Sequence, residues 1–190
     1  MFDNNKIFKN FPIMDLGDIV LRDIIVSQDS RHFLEYISDD LVNKYLSDDE
    51  LPRSLKEAEV ELNYWKDLFR HKRSIYWAIA KKKNNTLIGT CGFNIINYTH
   101  ARAEVSYDLA REEWGQGIMT RVVQAVCDFA FSSLNINRMQ ATVAHDNIAS
   151  IKVLTKLGFK REGDLREYGI LHGRKEDFYM YGLLSSDLVF

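Results

Sequence analysis

The chain is 190 residues long, 46% hydrophobic and 12% aromatic, which suits one domain with a sizeable core and excludes a disordered chain. A net charge of −2 and a pI near 6.2 give no basis for general nucleic-acid binding, which needs a basic surplus. Cys91 and Cys127 are too few for a disulfide framework, no run reaches the roughly 18 apolar residues of a membrane span, and Met1 to Phe11 lacks the apolar core of a signal peptide, so a reducing, cytoplasmic location is expected.

Residues 1–17 have no clear period and read as an N-terminal extension, loose or strand-like, before a domain expected over 18–185. Ile19 to Ile24 reads as a strand, and Ser27-Gln28-Asp29-Ser30 offers caps for a helix through Phe33, Leu34 and Ile37. After a polar stretch, Ser54 and Glu57 have capping-box spacing and open a helix through Leu62, Trp65, Leu68 and Phe69. From Ser74 the period becomes two. Ile75, Trp77 and Ile79 alternate with Tyr76, Ala78 and Ala80, the lysine-rich turn Lys81 to Asn85 reads as solvated, and Leu87 to Phe93 returns as the second strand of a hairpin. Ala103 to Leu109 is a further strand, Met119 to Leu134 a helix burying Val122, Val123, Val126, Ala130 and Leu134, and Met139, Ala141 and Val143 lie on one face of the next strand. Asp146-Asn147 caps a helix with Ile151, Leu154 and Leu157 in its apolar stripe, ended by Gly158 in a left-handed cap with Phe159 behind it. In the tail from Glu167 to Leu184, strand-like runs flank a turn at Leu171 to Arg174. Antiparallel strands come first, and a helical crossover then joins two parallel ones, which is a mixed α/β layered domain.

The stretch that the others serve is Leu109 to Thr120, with Gly115 and Gly117 directly before a helix. Two readings fit it. Either the connection needs glycine only for its φ angles, or the backbone comes close to an anion held by free amides at the positive helix end. No Walker loop, His-Glu-x-x-His, Gly-x-Ser-x-Gly or metal-type histidine spacing occurs.

Val105-Ser106-Tyr107-Asp108-Leu109, the Trp114-Gly115-Gln116-Gly117 loop, and Asn147-Ile148-Ala149-Ser150 followed by Leu157-Gly158-Phe159 resemble the two acetyl-CoA motifs of the GNAT superfamily of N-acetyltransferases. Ala103-Glu104 and the Trp-Gly-Gln-Gly loop are similar to the branch that acetylates ribosomal-protein N-termini, and spermidine and some antibiotic acetyltransferases look alike at this level. The resemblance covers roughly Ile19 to Leu184 and implies a mostly antiparallel central sheet, helices on both faces, and a V-shaped split between two parallel strands. By the same resemblance, the pantetheine of coenzyme A lies along Leu109, Ala110 and Arg111, and its pyrophosphate rests on the amides of Gly115, Gln116, Gly117, Ile118 and Met119 with the Thr120 hydroxyl in reach. Asn147 and Ser150 would face the thioester, and Lys156 a cofactor phosphate. Two positions depart from the family pattern. Glu112 stands where Gln or Arg is frequent, so it should point outward, and Leu154 stands where many members carry an acid tyrosine.

Acetyl transfer to an amine needs a neutral nucleophile, although a chain N-terminus has a pKa near 8 and lysine near 10.4. Glu104 is the candidate base, acting through water, against the alternative of a surface carboxylate paired with Arg102 or with a base on another strand. A backbone N–H near Tyr107 to Leu109 would hold the oxyanion, and Ser150 would serve the leaving thiolate. His100, Glu167 and Tyr168 are weaker acceptor-side candidates, while Asp39, Asp40, Asp48, Asp49 and Glu50 would suit a cationic acceptor. The resemblance implies acetyl-CoA-dependent, metal-free acetylation of a primary amine, and family likeness alone makes a protein N-terminus the preferred acceptor. A polyamine or aminoglycoside acceptor, or a non-catalytic coenzyme-A-binding module, stands as the alternative. No nucleic-acid or membrane partner is expected, and the chain would work as a monomer or homodimer.

Overall fold

The computed structural model describes residues 4–47 and 51–187. In chain order the elements are β1 (Met14–Asp15), β2 (Ile19–Arg22), α1 (Val26–Ile37), α2 (Asp40–Asn43), α3 (Leu55–Arg70), β3 (Tyr76–Lys81), β4 (Leu87–Asn97), β5 (Arg102–Leu109), α4 (Ile118–Ser133), β6 (Arg138–Ala144), α5 (Ile148–Lys156), β7 (Lys160–Leu171) and β8 (Arg174–Leu184). The strands form one eight-stranded sheet in the order β1-β2-β3-β4-β5-β6-β8-β7. Every neighbouring pair is antiparallel except β5 and β6. That parallel pair is short, with Arg102 opposite Arg138, Ala103 opposite Met139 and Glu104 opposite Gln140, and beyond Glu104 the strands part. The mixed, mostly antiparallel sheet with a split between two parallel strands is the architecture expected from the sequence.

Both faces of the sheet are covered, which is why the β3 pattern reads as alternation yet Tyr76 to Ala80 are all buried. One face packs Ile75, Trp77 and Ile79 against Val122, Val123, Val126 and Ala130 of α4 and Leu154 of α5. The other packs Tyr76 and Ala78 against Phe33 and Tyr36 of α1 and Ala58 and Leu62 of α3. Each fully buried Val, Leu or Phe contributes about 1.5–3 kcal/mol relative to exposure, so these two layers carry the fold.

Local signals held in several places. Ser54 Oγ accepts from Glu57 N at 3.2 Å, while the Glu57 carboxylate reaches back to Arg53 N at 2.8 Å. Gly158 has φ +85, and the amide of Phe159 donates to the Leu154 carbonyl at 3.1 Å, closing α5. His172 and Gly173, both at positive φ, form the two-residue turn between β7 and β8.

Other expectations need correction. The first long strand stops at Arg22, and α1 starts at Val26 with no side-chain cap, so Ser27 to Ser30 lie inside the helix. Asp29 turns inward instead. Its carboxylate accepts from Nη1 and Nη2 of Arg22 at 2.8 Å and from the Ile25 amide at 2.7 Å. The lysine turn is not merely solvated, since Lys81 pairs with Glu113 and Lys82 with Asp15. β7 begins at Lys160, well before Glu167. Of the two readings of the N-terminal extension, the strand-like one holds at Met14–Asp15, and the described segment before it is packed onto the core through Phe8 and Phe11. Asn4–Lys9 is a 3-10 helix, Phe8 and Phe11 pack against Phe69 with tilted rings whose centroids are 5.3 and 4.9 Å apart, and the Trp77 indole donates to the Pro12 carbonyl at 2.6 Å.

Candidate active site

The glycine loop is built by the residues before it. A 3-10 turn, Arg111–Glu113, leaves the end of β5, and the buried Glu113 anchors it through Lys81 at 2.5 Å. The Trp114 indole N–H folds back onto the Leu109 carbonyl at 2.8 Å. Gly115 and Gly117 follow at φ +76 and +73. A Cβ on either glycine would meet no protein atom within 4 Å, so the left-handed backbone and not crowding requires them. Gly117 is the N-cap of the 16-residue α4, which has neither a side-chain cap nor an acidic residue in its first turn. The amides of Ile118, Met119 and Thr120 therefore lie at a positive helix end without helical acceptors, which fits a diphosphate. Glu112 is exposed and its carbonyl accepts from the Gln116 side chain at 3.1 Å. Arg121 is held by Asp18 and the Leu16 carbonyl. Arg111 lies 3.6 Å from Asp39.

The split lies beside this loop. Ala110 N donates to the Ile88 carbonyl at 2.7 Å, so that amide faces β4. By strand alternation the N–H and C=O groups of Tyr107 and Leu109 face the opposite way, into the gap left by β6. Of the three residues expected to run along pantetheine, Ala110 thus has its amide engaged elsewhere, and the Leu109 carbonyl already holds the Trp114 indole.

Side chains of β5 alternate between the two faces. Glu104 is buried at the last paired position, 8% exposed, and accepts from the Gln140 side chain at 2.9 Å. It is not a surface carboxylate bonded to Arg102. Asp108, on the same face, accepts from the Tyr36 hydroxyl of α1 at 2.6 Å and from the Thr90 hydroxyl and amide at 2.6 and 3.0 Å. Burial, followed by the Asp108 charge, pushes the Tyr36 phenol far up. Tyr107 points to the α4–α5 face, and its hydroxyl meets Ser150 Oγ at 2.8 Å across the split. Burial raises the Tyr107 phenol pKa strongly, and the Ser150 bond opposes this only in part.

Asn147 caps α5, its side-chain oxygen accepting from Ser150 N at 3.1 Å. Lys156 is exposed on a cleft of about 230 Å³ that Thr120, Gln124, Cys127 and Leu157 also line. His100 and Tyr168 are exposed, and Glu167 pairs with Lys175 at 2.6 Å. Asp39 caps α2, and Asp48, Asp49 and Glu50 lie outside the described residues. The sequence used Tyr107 and Asp108 only for motif and backbone, and gave no role to the side chains of Tyr107, Asp108, Thr90 and Gln140. The two-residue period from Glu104 signalled Asp108, but its partners needed the register.

The sequence profile of the acetyltransferase (GNAT) domain matches residues 18–160. The chain belongs to the GNAT acetyltransferase family. An uncharacterised N-acetyltransferase, p20, of Bacillus licheniformis is 38% identical over 160 residues, 84% of this chain and 89% of that protein. A spermidine N(1)-acetyltransferase of Vibrio cholerae is 29% identical over 108 residues, 57% of this chain and 62% of that one. The crystal structure of a ribosomal-protein-S5-alanine acetyltransferase from Vibrio fischeri superposes with a TM-score of 0.80 at 26% identity, covering 93% of this chain and 98% of the other. For a GNAT N-acetyltransferase the position of Leu154 is the main departure, because it is fully buried and has no hydroxyl to offer. Among the described residues no His, Cys, Asp and Glu converge on a metal position, and no helix is long and apolar enough to cross a membrane.

Proposed function

We propose that this GNAT N-acetyltransferase acetylates a protein N-terminal α-amine, with acetyl-CoA as donor. The observation that carries the reading is the division of β5: Glu104 and Asp108 lie on one face of the strand, where Asp108 meets Tyr36 of α1, whereas Tyr107 and Ser150 meet on the α4–α5 side beside the glycine loop. When bound, acetyl-CoA supplies an activated acetyl thioester. The loop amides at 115–119 and the Thr120 hydroxyl bind its diphosphate, Lys156 lies on the rim where a further phosphate would sit, and Leu109 to Arg111 line the pantetheine track. Asn147 fixes the first turn of α5 and with it Ser150.

On the other face Glu104 takes the ammonium proton through water, Gln140 orients its carboxylate, and the Tyr107 or Leu109 amide stabilises the oxyanion. Ser150 donates a hydrogen bond to the departing sulfur, whose conjugate thiol has a pKa near 8.5 and so needs little assistance. An α-amine, with a pKa near 8, is easier to deprotonate than a lysine side chain. The carboxylates on the acceptor face favour a cation, and the structural similarity to a ribosomal-protein acetyltransferase supports the N-terminal choice.

A polyamine acceptor is the second reading, favoured by the spermidine acetyltransferase among the relatives. Release of free thiol from acetyl-CoA, followed with N-terminal peptides, N-acetylated lysine peptides and spermidine, tests the choice. Rapid release with free-N-terminus peptides is expected, and release with spermidine alone would replace the acceptor.

A further inference from the structure

The geometry points to Tyr107 as a positioning residue that fixes the Ser150 hydroxyl across the split, so that the two together present one O–H to the leaving sulfur. This rests on the reading of Ser150 as the donor to that sulfur. Three observations support it.

The first is the path of the contact. β5 and β6 pair only as far as Glu104 and Gln140, and Tyr107 lies three residues farther on. Its ring packs against the main core, and its hydroxyl ends 2.8 Å from Ser150 Oγ on the helix that follows β6. The bond therefore joins the two arms of the split where their backbones no longer touch.

The second is the setting of Ser150. A serine inside a helix can bond back to the carbonyl four residues before it. For Ser150 that residue is Asp146, which precedes the N-cap of α5 and whose carbonyl takes the Ile148 amide at 2.9 Å and the Tyr45 hydroxyl at 3.0 Å, and the Ser150 hydroxyl meets Tyr107. One turn farther along α5, Leu154 is fully buried and aliphatic. The phenol that α5 lacks is supplied from β5.

The third is the proton count. Two hydroxyls that share one hydrogen bond use one hydrogen between them and leave one to offer outward. Burial holds the Tyr107 phenol neutral across the range in which a thiol of pKa near 8.5 titrates. A phenol this hard to ionise is a poor proton donor to a thiolate, so no proton changes owner within the pair. The amine nitrogen forms its bond to the acetyl carbon, the carbon–sulfur bond breaks, its electron pair stays on sulfur, and the hydroxyl pair stabilises that charge by hydrogen bonding alone. The two protons that the ammonium sheds, one before attack and one as the amide forms, leave on the opposite face through Glu104 and its water to solvent.

The experiment is an ultraviolet titration of the coenzyme A thiol bound to the full chain, alongside steady-state kinetics, for the parent, Tyr107→Phe, Ser150→Ala, Ser150→Thr and the double variant. The bound thiol should titrate below its free value in the parent, and Tyr107→Phe should raise it by about one unit, a tenfold change in ionisation. The same variant should lower kcat about tenfold with coenzyme A affinity within about twofold, as expected when a contact matters in the transition state and not in binding. Ser150→Thr should restore most of what Ser150→Ala loses, and the double variant should fare no worse than Ser150→Ala. Phe keeps the ring that packs against the core, and melting temperature checks its folding. Should that variant melt early, Ser150→Ala reads the same bond from α5, and an unmoved thiol pKa there overturns the inference. If Ser150→Ala shifts the thiol pKa and kcat while a folded Tyr107→Phe shifts neither, the Tyr107 inference fails and Ser150 stands. If neither variant changes either quantity while acetyl transfer continues, the Ser150 reading fails as well.

Discussion

Gln140 donates its side-chain amide to Glu104 Oε2 over 2.9 Å at the last position where β5 and β6 are paired. The bond holds a buried carboxylate at the apex of the split and leaves its second oxygen for a water or an ammonium. Glu104→Gln keeps shape and the bond from Gln140 but removes the base. It should lower kcat about 100-fold, the lower range of general-base contributions, with coenzyme A affinity unchanged. Turnover within about threefold of the parent would remove Glu104 from the mechanism.

Gly117 and Gly158 both sit at positive φ, and neither position would be crowded by a Cβ. Substitution by Ala should therefore cost each about 1–2 kcal/mol of stability through backbone strain alone. Only Gly117→Ala should also weaken coenzyme A binding, by about tenfold, because its methyl group enters the space before the α4 amides. Gly158 closes α5 away from that loop. Equal affinities in the two variants by calorimetry would contradict the diphosphate assignment.

The period-two run at β3, the capping box of α3, the glycine cap of α5 and the parallel crossover were all legible, because each is set by residues close in sequence. The glycine loop was legible for the same reason. What stayed hidden was long-range register. Asp108 carries no local sign that Tyr36, 72 residues away, and Thr90 will both bond to it. Lys81 looked like part of a solvated turn because Glu113, which it anchors, lies on another element. Asp29 looked like a cap because a helix start and a buried ion pair use the same residue type, and only the approach of Arg22 separates them.

That Arg22–Asp29 pair is bidentate, with side chains 9% and 1% exposed, and Asn85 completes the guanidinium shell through Nε at 2.7 Å. Removing one partner leaves the other charge buried and uncompensated. Asp29→Ala should lose about 3–5 kcal/mol in urea unfolding. A loss below about 1 kcal/mol would mean that water reaches Arg22 in the variant.

Arg138 donates to both oxygens of Glu162, at 2.8 and 2.5 Å, and holds its carboxyl below the ordinary 4.5. Between the lowered and ordinary values the unfolded chain binds more protons than the folded one, so stability rises with pH there. The contribution is present above the ordinary value and is lost as pH falls through the lowered one. Glu162→Gln should thus cost under about 1 kcal/mol at neutral pH, since both side chains are partly exposed, and should flatten the loss on acidification. A variant with an unchanged acid slope in urea titrations would place that slope on other carboxylates.

The segment through α2 is tied to both arms of the split. Asp39 lies 3.6 Å from Arg111 at the end of β5, while Lys44 Nζ contacts Asp146 at 2.7 Å and the Tyr45 hydroxyl bonds the Asp146 carbonyl beyond β6. Asp146 and Tyr45 raise the Lys44 pKa, so the ammonium persists through the working pH range. α2 follows α1, whose Tyr36 bonds Asp108 on the face proposed for the acceptor, and the strap is read as bordering the amine's approach on that side. Lys44→Ala should therefore raise the acceptor KM about two- to fivefold, the range of an exposed ion pair, with kcat and coenzyme A affinity unchanged. Added salt should narrow the difference between variant and parent, because the contact is solvent-exposed. A matching loss of coenzyme A affinity would assign the strap to the cofactor side instead.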